Sequence, residues 1–555
     1  MYTQERVLHT VENMIKEAVG KAFPEATMPA FLVEVPKAEA HGDFSTNAAM
    51  LLTKELKRSP RDVAAAILEN MPQNDLVVRT EIAGPGFINF YLNPDWIYGT
   101  LEDIEAGQEN YGRTEDGCGK KVMVEFVSAN PTGPMHMGNA RGGAIGDSLA
   151  ALLDMAGWDV CREFYLNDAG AQIEKFGMSL EARFLQILTG IEDFPEDGYQ
   201  GADITELAQS YIDENGSGLL EKESAERRRT LVEYALPKNI AKMQADLKKY
   251  RIEYDNWYRE SSLYKSGEVE ETIALLGEKD LTYEKEGAIW FKSTRFGAEK
   301  DDVLVRANGI PTYFAADIAY HRNKLAGRNF DKAINIWGAD HHGHIARMKG
   351  AMEALGIDPD RLHVITMQLV RLVEKGEVVR MSKRTGRMIT LSDLLDEIGV
   401  DAARFFFNLR QAGSHFEFDL GLAVEQSNDN PVFYVQYAYA RISSIIRLLG
   451  EEGTKVCPYK DMKANLLSDE HERALIKKLA EFPDEIRVAA ASLEPSRITR
   501  YAMDTAALFH SFYNACHVRT EDKELTAARL KLVECTRIVL SNALRMLQVS
   551  APEKM

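Results

Sequence analysis

The sequence predicts a multidomain α/β protein: a small α+β unit first, a parallel α/β sheet next, and an all-helical part last. Three observations lead there. Short apolar runs alternate with helical patterns between about 116 and 375, the signature of strand–helix–strand units. Beyond about 420 the helical periodicity is nearly unbroken. A chain of 555 residues also exceeds what one hydrophobic core usually holds.

Residues 1–115 form the expected first unit. Its opening helix carries Val7, Val11, Met14 and Ala18 on one face, and its last strand is TEIAGPGFINFYL (80–92). The polar, glycine-rich GQENYGRTEDGCGK (107–120) reads as a linker. Strands of the parallel sheet in 116–375 are expected at KVMVEFV, DVCREFYL, GAIWFKS, DDVLVRANG, AINIWGA and LHVITMQLV. A charged, mostly helical stretch at about 175–280 reads as an insertion between the halves of that sheet. A separate region at 376–420, holding a signature loop and a stem-contact surface, follows, and helices fill 421–555, punctuated near Gly450–Gly453, Pro483 and Pro495. The last helix turns Leu530, Val533, Ile538, Val539, Leu544 and Leu547 toward a core.

Composition excludes several classes. No apolar run approaches the roughly 18 residues of a membrane span. The first residues carry charges of both signs, unlike a signal peptide. Five scattered cysteines, never in a CxxC pair, argue against a disulfide framework and against a cysteine zinc site. A cytoplasmic protein is expected. The net charge of −19 counts against nonspecific coating of nucleic acid, though not against one local basic surface.

Chemistry concentrates in two stretches. SANPTGPMHMGNARGG (128–143) joins an apolar strand to a helix. The helix start offers free N–H groups and a positive dipole end, which suit phosphate. His136 can donate to a phosphate oxygen, Gly138 lets a nucleotide lie against the backbone, and Asn139 adds an amide donor. Taken alone, the same turn is equally a histidine-capped helix start. The second stretch, EVVRMSKRTGRMITL (377–391), gathers Arg380, Lys383, Arg384 and Arg387 around Met381 and Ser382. Mobile cations of this kind suit a pyrophosphate leaving group. In this order and spacing the pair points to nucleotide chemistry.

HMGN and RMSKR resemble the two signature motifs of class I aminoacyl-tRNA synthetases, usually written HIGH and KMSKS. VEFVSANPTGPMHMGNARGGAIGD, REFYLNDAGAQI, GIPTYFAADIAYH, WGADHHGHIARM and NPVFYVQYAYARI together resemble arginyl-tRNA synthetases, as do HGDFSTNAAM and SAPEKM. The resemblance spans the whole chain and implies a Rossmann-like, doubly wound parallel-sheet catalytic domain. Asn139 stands where HIGH has its second histidine, and Arg380 where KMSKS has its first lysine. An amide still donates a hydrogen bond, and an arginine keeps the charge with another geometry.

The resemblance implies ligation of L-arginine to its tRNA in two steps, with ATP and Mg²⁺ and without a covalent enzyme intermediate. His136, Asn139 and Lys383 would stabilise the transferring phosphorus. Gly138, Met381 and Ser382 would join them around ATP. Tyr313 and Asp317 would meet the guanidinium, Glu125 would add a second carboxylate, Ser128 and Asn130 would hold the α-amino and carboxylate groups, and His341 or His342 would line the pocket. Phe44 and Asn47 would touch the tRNA elbow, and Tyr434, Tyr437, Tyr439 and Arg441 the anticodon. Tyrosines at this spacing on a helix also pack a core.

HHGH (341–344) lacks the spacing and the completing ligand of a zinc site, so no metal site is expected. No editing function is assigned to the insertion, because lysine cannot satisfy a fork-shaped guanidinium site. No membrane and no DNA are expected as partners, and a monomer is expected. Three other readings compete: an RNA-independent nucleotidyltransferase, a non-catalytic tRNA-binding protein, and a class I synthetase for another amino acid. The first leaves both terminal units without a task, the second leaves both nucleotide motifs idle, and the third leaves the carboxylates without a cationic side chain.

Overall fold

The computed structural model describes residues 1–36, 38–379 and 389–555; the side chains of Glu39 and His342 also lie outside the described set. The first unit packs helices α1 (Thr3–Ala22), α2 (Ala48–Leu56) and α3 (Pro60–Glu69) on a four-stranded sheet. Its strands are β1 (Val33–Glu34), β2 (Phe44–Thr46), β3 (Val77–Ala83) and β4 (Phe87–Leu92), in the order β1-β2-β4-β3. Val7, Val11, Met14 and Ala18 are all buried, as the helical spacing requires. The stretch read as a linker is less loose than its composition implies. It follows α4 (Gly99–Gly107), and buried Tyr111 donates from its hydroxyl to the Leu479 carbonyl at 2.9 Å, in the C-terminal helices.

The central sheet has five parallel strands in the order β12-β11-β5-β6-β7. They are β5 (Lys121–Glu125), β6 (Asp159–Leu166), β7 (Asn256–Arg259), β11 (Lys332–Gly338) and β12 (Leu362–Met367). The chain winds one way from β5 and then returns to its other side at β11, so the switch point lies between β5 and β11. In such sheets ligands collect at the carboxyl ends of the strands beside that point.

Two expectations fail here. GAIWFKS and DDVLVRANG give β9 (Ala288–Phe291) and β10 (Asp302–Val305), which pair antiparallel with each other in a separate sheet begun by β8 (Thr282–Lys285). Conversely, β7 lies within 175–280, the range read as an insertion. The helical part of that range is α6 (Ala171–Thr189), α7 (Ala202–Asn215) and α8 (Ser224–Lys249).

Helix α5 (Met137–Met155) packs on β6 and α9 (Glu260–Ser266) on β7, while α10 (Glu268–Glu278) packs on α9 and α11 (Tyr313–Arg322), with α12 (His342–Ala354) following in the chain. Helix α5 packs tightly: a Cβ on Gly146 would meet the Phe126 ring at 2.2 Å. A third small sheet joins β13 (Val370–Glu374), β14 (Glu377–Val379) and β15 (Phe416–Asp419), with α13 (Leu391–Ile398), α14 (Val400–Phe407) and α15 (Leu420–Val424) nearby in sequence. Helices α16 (Pro431–Glu451), α17 (Glu470–Ala480), α18 (Phe482–Ser492), α19 (Ser496–Ala515) and α20 (Lys523–Met546) complete the chain. Pro483 and Pro495 begin α18 and α19, where a missing N–H costs nothing. No helix among the described residues is long and apolar enough to cross a membrane.

Candidate active site

Beyond the carboxyl end of β5 the backbone turns through the left-handed region, with Val127 at φ 69° and Ser128 at φ 42°. A β-branched residue there costs on the order of 1–3 kcal/mol, and such strain concentrates at functional sites. The turn opens a cleft of about 1340 Å³. Ser128, Asn130, His136, Asn139, Tyr313, Asp317 and His341 all line it, although they come from segments up to 213 positions apart, from 128 to 341.

His136 is exposed, in extended backbone, at the N-cap of α5. Its backbone N–H donates to Asn139 Oδ1 at 2.9 Å, so the Asn139 amide turns its Nδ2 donor away from the cap. Asparagine therefore does here what caps ordinarily need while keeping an N–H for a ligand. A Cβ on Gly138 would meet nothing within 4 Å, so the backbone there is open.

Arg380, Met381, Ser382, Lys383, Arg384 and Arg387 lie outside the described residues. The chain just beyond them is fastened to the first motif. Thr390 bridges His136, and Leu391 N–H donates to the Met135 carbonyl at 2.9 Å. Buried Arg141, two residues past Asn139, adds a second fastening. Its guanidinium donates to the carbonyls of Gln368, Gln411 and Ser414 at 2.7, 3.0 and 3.1 Å. Burial lowers its pKa to about 10, so it stays charged near neutrality.

In the same cleft Tyr313 and Asp317 sit four residues apart on α11 and face the same way. Ala171 N–H donates to the Tyr313 hydroxyl at 3.0 Å, and His344 Nε2 lies 3.1 Å from Asp317 Oδ2. Glu260 is the carboxylate that sequence reading missed. It lines the same cleft at 1% exposure, and with the Asn167 amide turned to face it, Asn167 donates to Glu260 Oε2 at 2.9 Å. Burial first, then the charges of Asp317 and Asp168, raise its pKa to about 7.

Among the described residues the cleft lining is acidic: Asp203, Glu206, Asp246, Glu260, Asp317 and Asp393 stand against Lys242. That balance suits a cationic small molecule. Asp203, Glu206, Lys242 and Asp246 belong to the helical insertion, which thus forms one wall. Helix α8 also holds the first motif directly, since Asn239 Nδ2 donates to the Pro131 carbonyl at 3.0 Å.

Two expected residues need correction. Glu125 is nearly buried and is not a free carboxylate of the cleft. Lys324 pairs with its Oε2, and Ser128 Oγ donates to its Oε1 at 2.9 Å. Phe44 is 0% exposed in the core of the first unit, so its ring cannot reach RNA. Asn47 is half-buried at the start of α2, with Oδ1 accepting from Leu32 N–H at 3.1 Å. The His341 imidazole is exposed at the cleft edge. Tyr434, Tyr437 and Arg441 are half-buried on α16, whereas Tyr439 packs into the core, as the spacing of the tyrosines allows.

The Glu260 carboxyl predicts a pH effect. Below about pH 7 it is protonated and offers a cation no charge; above, it is ionised. Without a cation beside it, its raised pKa favours the folded state at low pH, and that contribution is lost as pH rises from 4.5 through about 7. A bound cation reverses the loss. Arginine is therefore expected to raise the melting temperature more at pH 8 than at pH 6, and Glu260→Gln should flatten that difference, as thermal melts with and without arginine would show.

Family models match the chain along its length. The arginyl-tRNA synthetase N-terminal domain matches residues 9–92, the catalytic domain of class I (R) tRNA synthetases 101–408, and the DALR anticodon-binding domain 435–555. The arginine–tRNA ligase of Acetivibrio thermocellus is 56% identical, with 99% of each chain covered. That of Caldanaerobacter subterraneus subsp. tengcongensis is also 56% identical, over 99% of this chain and 100% of the relative. The solved Thermus thermophilus arginyl-tRNA synthetase shares the fold at 22% identity, with a TM-score of 0.76 over 99% of this chain and all of that one. With its cleft, its two motifs and relatives of this closeness, the chain belongs to the arginyl-tRNA synthetase family.

Proposed function

We propose that this protein is an ATP-dependent arginine–tRNA ligase. The observation that carries the reading is the cleft itself. It sets the His136–Asn139 helix start, suited to a nucleotide, beside an acidic end built on Asp317, Glu260 and Tyr313, suited to a guanidinium. A guanidinium takes carboxylates through its planar fork, which a lysine ammonium cannot fill.

In the first step an arginine carboxylate oxygen attacks the α-phosphorus of ATP, and pyrophosphate leaves. Then the 2′-hydroxyl of the terminal adenosine of the tRNA attacks the activated carbonyl, its proton is lost, and AMP leaves. His136 and Asn139 Nδ2 donate to the transferring phosphoryl group, and Lys383 with its neighbours neutralises the leaving pyrophosphate. Catalysis is thus positioning and charge stabilisation. Ser128 and Asn130 hold the main-chain end of arginine, and His341 lines the same pocket. Among the described residues no group of three or more metal-ligating side chains stands together. Mg²⁺ would enter with the triphosphate and offset its charge. In this reading the first step waits for bound tRNA.

For RNA, Arg441 donates to the Tyr437 hydroxyl at 2.6 Å and lies 4.7 Å over its ring and 5.0 Å over that of Tyr513. Tyr434 lies 5.0 Å from His510. Such a platform stacks unpaired bases, and the family match to an anticodon-binding domain supports it. Tyr437→Ala is expected to raise the KM for tRNA about tenfold while leaving that for ATP unchanged. Asn47 is retained as a contact to the tRNA elbow. The cysteines among the described residues are unpaired, in keeping with a cytoplasmic enzyme. The enzyme is read as a monomer. Charging of an unfractionated tRNA pool with labelled arginine tests the reading; arginine acceptance without lysine acceptance is expected, and no acceptance of arginine would end it.

A further inference from the structure

Beneath the acidic end of the cleft lies a buried polar network that the two-step reaction leaves unused. Helix α11 continues into a π-helical turn, Asn323–Gly327. A π turn holds more residues than an α turn and so rotates the side chains beyond it, and such turns gather at functional sites. Here it carries Lys324, whose side chain is 0% exposed. It faces three neighbouring strands, because Asn335 on β11, Glu125 on β5 and Glu163 on β6 are register partners in one row.

From Lys324 the contacts run two ways. On one side its Nζ pairs with Glu125, which accepts from Ser128 Oγ at 2.9 Å, and Ser128 Oγ in turn accepts from Tyr165 N–H at 3.2 Å. On the other side Lys324 Nζ donates to Asn335 Oδ1 at 3.1 Å. The Asn335 Nδ2 lies 2.8 Å from His321 Nε2, and His321 Nδ1 lies 2.8 Å from the Asp317 carbonyl. A carbonyl only accepts, so Nδ1 carries the hydrogen. Burial, then the charge of Lys324, pushes the His321 pKa well down, which leaves Nε2 bare to accept from Asn335. Every bond in the chain therefore has one direction: Lys324 to Asn335 to His321 to Asp317.

The Glu163 carboxylate completes the frame. Burial works to raise its pKa, but Arg328 and Lys324 outweigh it and hold it low. Arg328 donates to Glu163 through both terminal guanidinium nitrogens, at 2.5 and 2.8 Å, and Tyr320 donates to it at 2.6 Å. A lysine buried this completely is held only where its partners are fixed, and removal of one partner is felt by the rest.

Resting on the arginine reading of the cleft, we infer that Lys324 is a positioning residue that sets arginine specificity. Through Glu125 it fixes Ser128 at the main-chain end of the substrate, and through Asn335 and His321 it fixes the turn of α11 bearing Asp317 at the guanidinium end. One buried ammonium thus holds the two ends of the amino-acid subsite at a set separation, without touching the amino acid or ATP. It also engages the carboxylate of Glu125, leaving Asp317 and Glu260 to meet the guanidinium.

The test is Lys324→Met, with Asn335→Ala as the second variant. The second keeps the Glu125–Lys324 pair and breaks only the link to His321, so it carries the test if the first fails to fold. The arginine and ATP KM values of each are measured in the full charging reaction, beside the parent. The loss of a charged hydrogen bond in the frame is expected to raise the arginine KM about tenfold, with the ATP KM within twofold of the parent. A frame that only stabilises the fold would lower the melting temperature and leave both KM values alone. Arginine KM values unchanged in the folded variants, with a parent active on arginine, would overturn the inference. A parent that does not use arginine would overturn it together with the reading beneath it.

Discussion

Asp317→Asn is expected to raise the KM for arginine by roughly a hundredfold, about 2.7 kcal/mol of lost binding. The side chain is about one-third exposed at the cleft, so it meets ligand as well as His344. Asparagine keeps the size and one acceptor but removes the charge, and its amide hydrogens face those of the guanidinium. The ATP KM should stay near its parent value, because Asp317 is proposed to meet the guanidinium and not the nucleotide. Steady-state kinetics with arginine and ATP varied separately check this. An equal rise in both values would mean that the cleft had collapsed.

His136→Ala is expected to lower the rate of adenylate formation by about 10²–10³-fold, the usual cost of one preorganised donor to a developing negative charge. The imidazole is exposed and contributes nothing to the core, and the cap bond to Asn139 is made by the His136 backbone. Stability should therefore be unchanged while the rate falls. Asn139→Ala makes the contrast: it removes the Nδ2 donor and the cap acceptor together, so rate and melting temperature should both drop, the latter by about 1 kcal/mol of stability. Rapid-quench measurement of adenylate, paired with thermal melts, separates the two.

Sequence reading went furthest where local pattern decides structure. The runs that became β5 and β11 are apolar and buried over most of their length, because both faces of a parallel sheet are covered at its centre. Once those strands stand in one sheet, the loops at their carboxyl ends must converge, which is why Ser128, Asn130, His136, Asn139 and His341 share a cleft with Tyr313 and Asp317.

What was missed is nonlocal or depends on the face a side chain takes. β7 is a four-residue, half-buried edge strand set among charges, without a pattern of its own. β9 and β10 have strand composition, but composition does not say which sheet a strand joins. Phe44 lies in β2, where all three residues are buried, so alternation gave no sign that its ring points inward. Glu260 is one glutamate in a charged stretch, and only the fold brings it beside Asp317. Glu125 meets Lys324 from 199 positions away, which no spacing in the sequence foretells.

The claim that this cleft activates arginine, and does so for tRNA, is tested most directly by arginine-dependent ATP–pyrophosphate exchange, run with and without a tRNA pool and with lysine as control. The account predicts exchange with arginine when tRNA is present and none with lysine. Exchange without tRNA would keep the chemistry and remove the RNA requirement. Folded protein that gives no arginine-dependent exchange in either condition, or equal exchange with lysine, would contradict it.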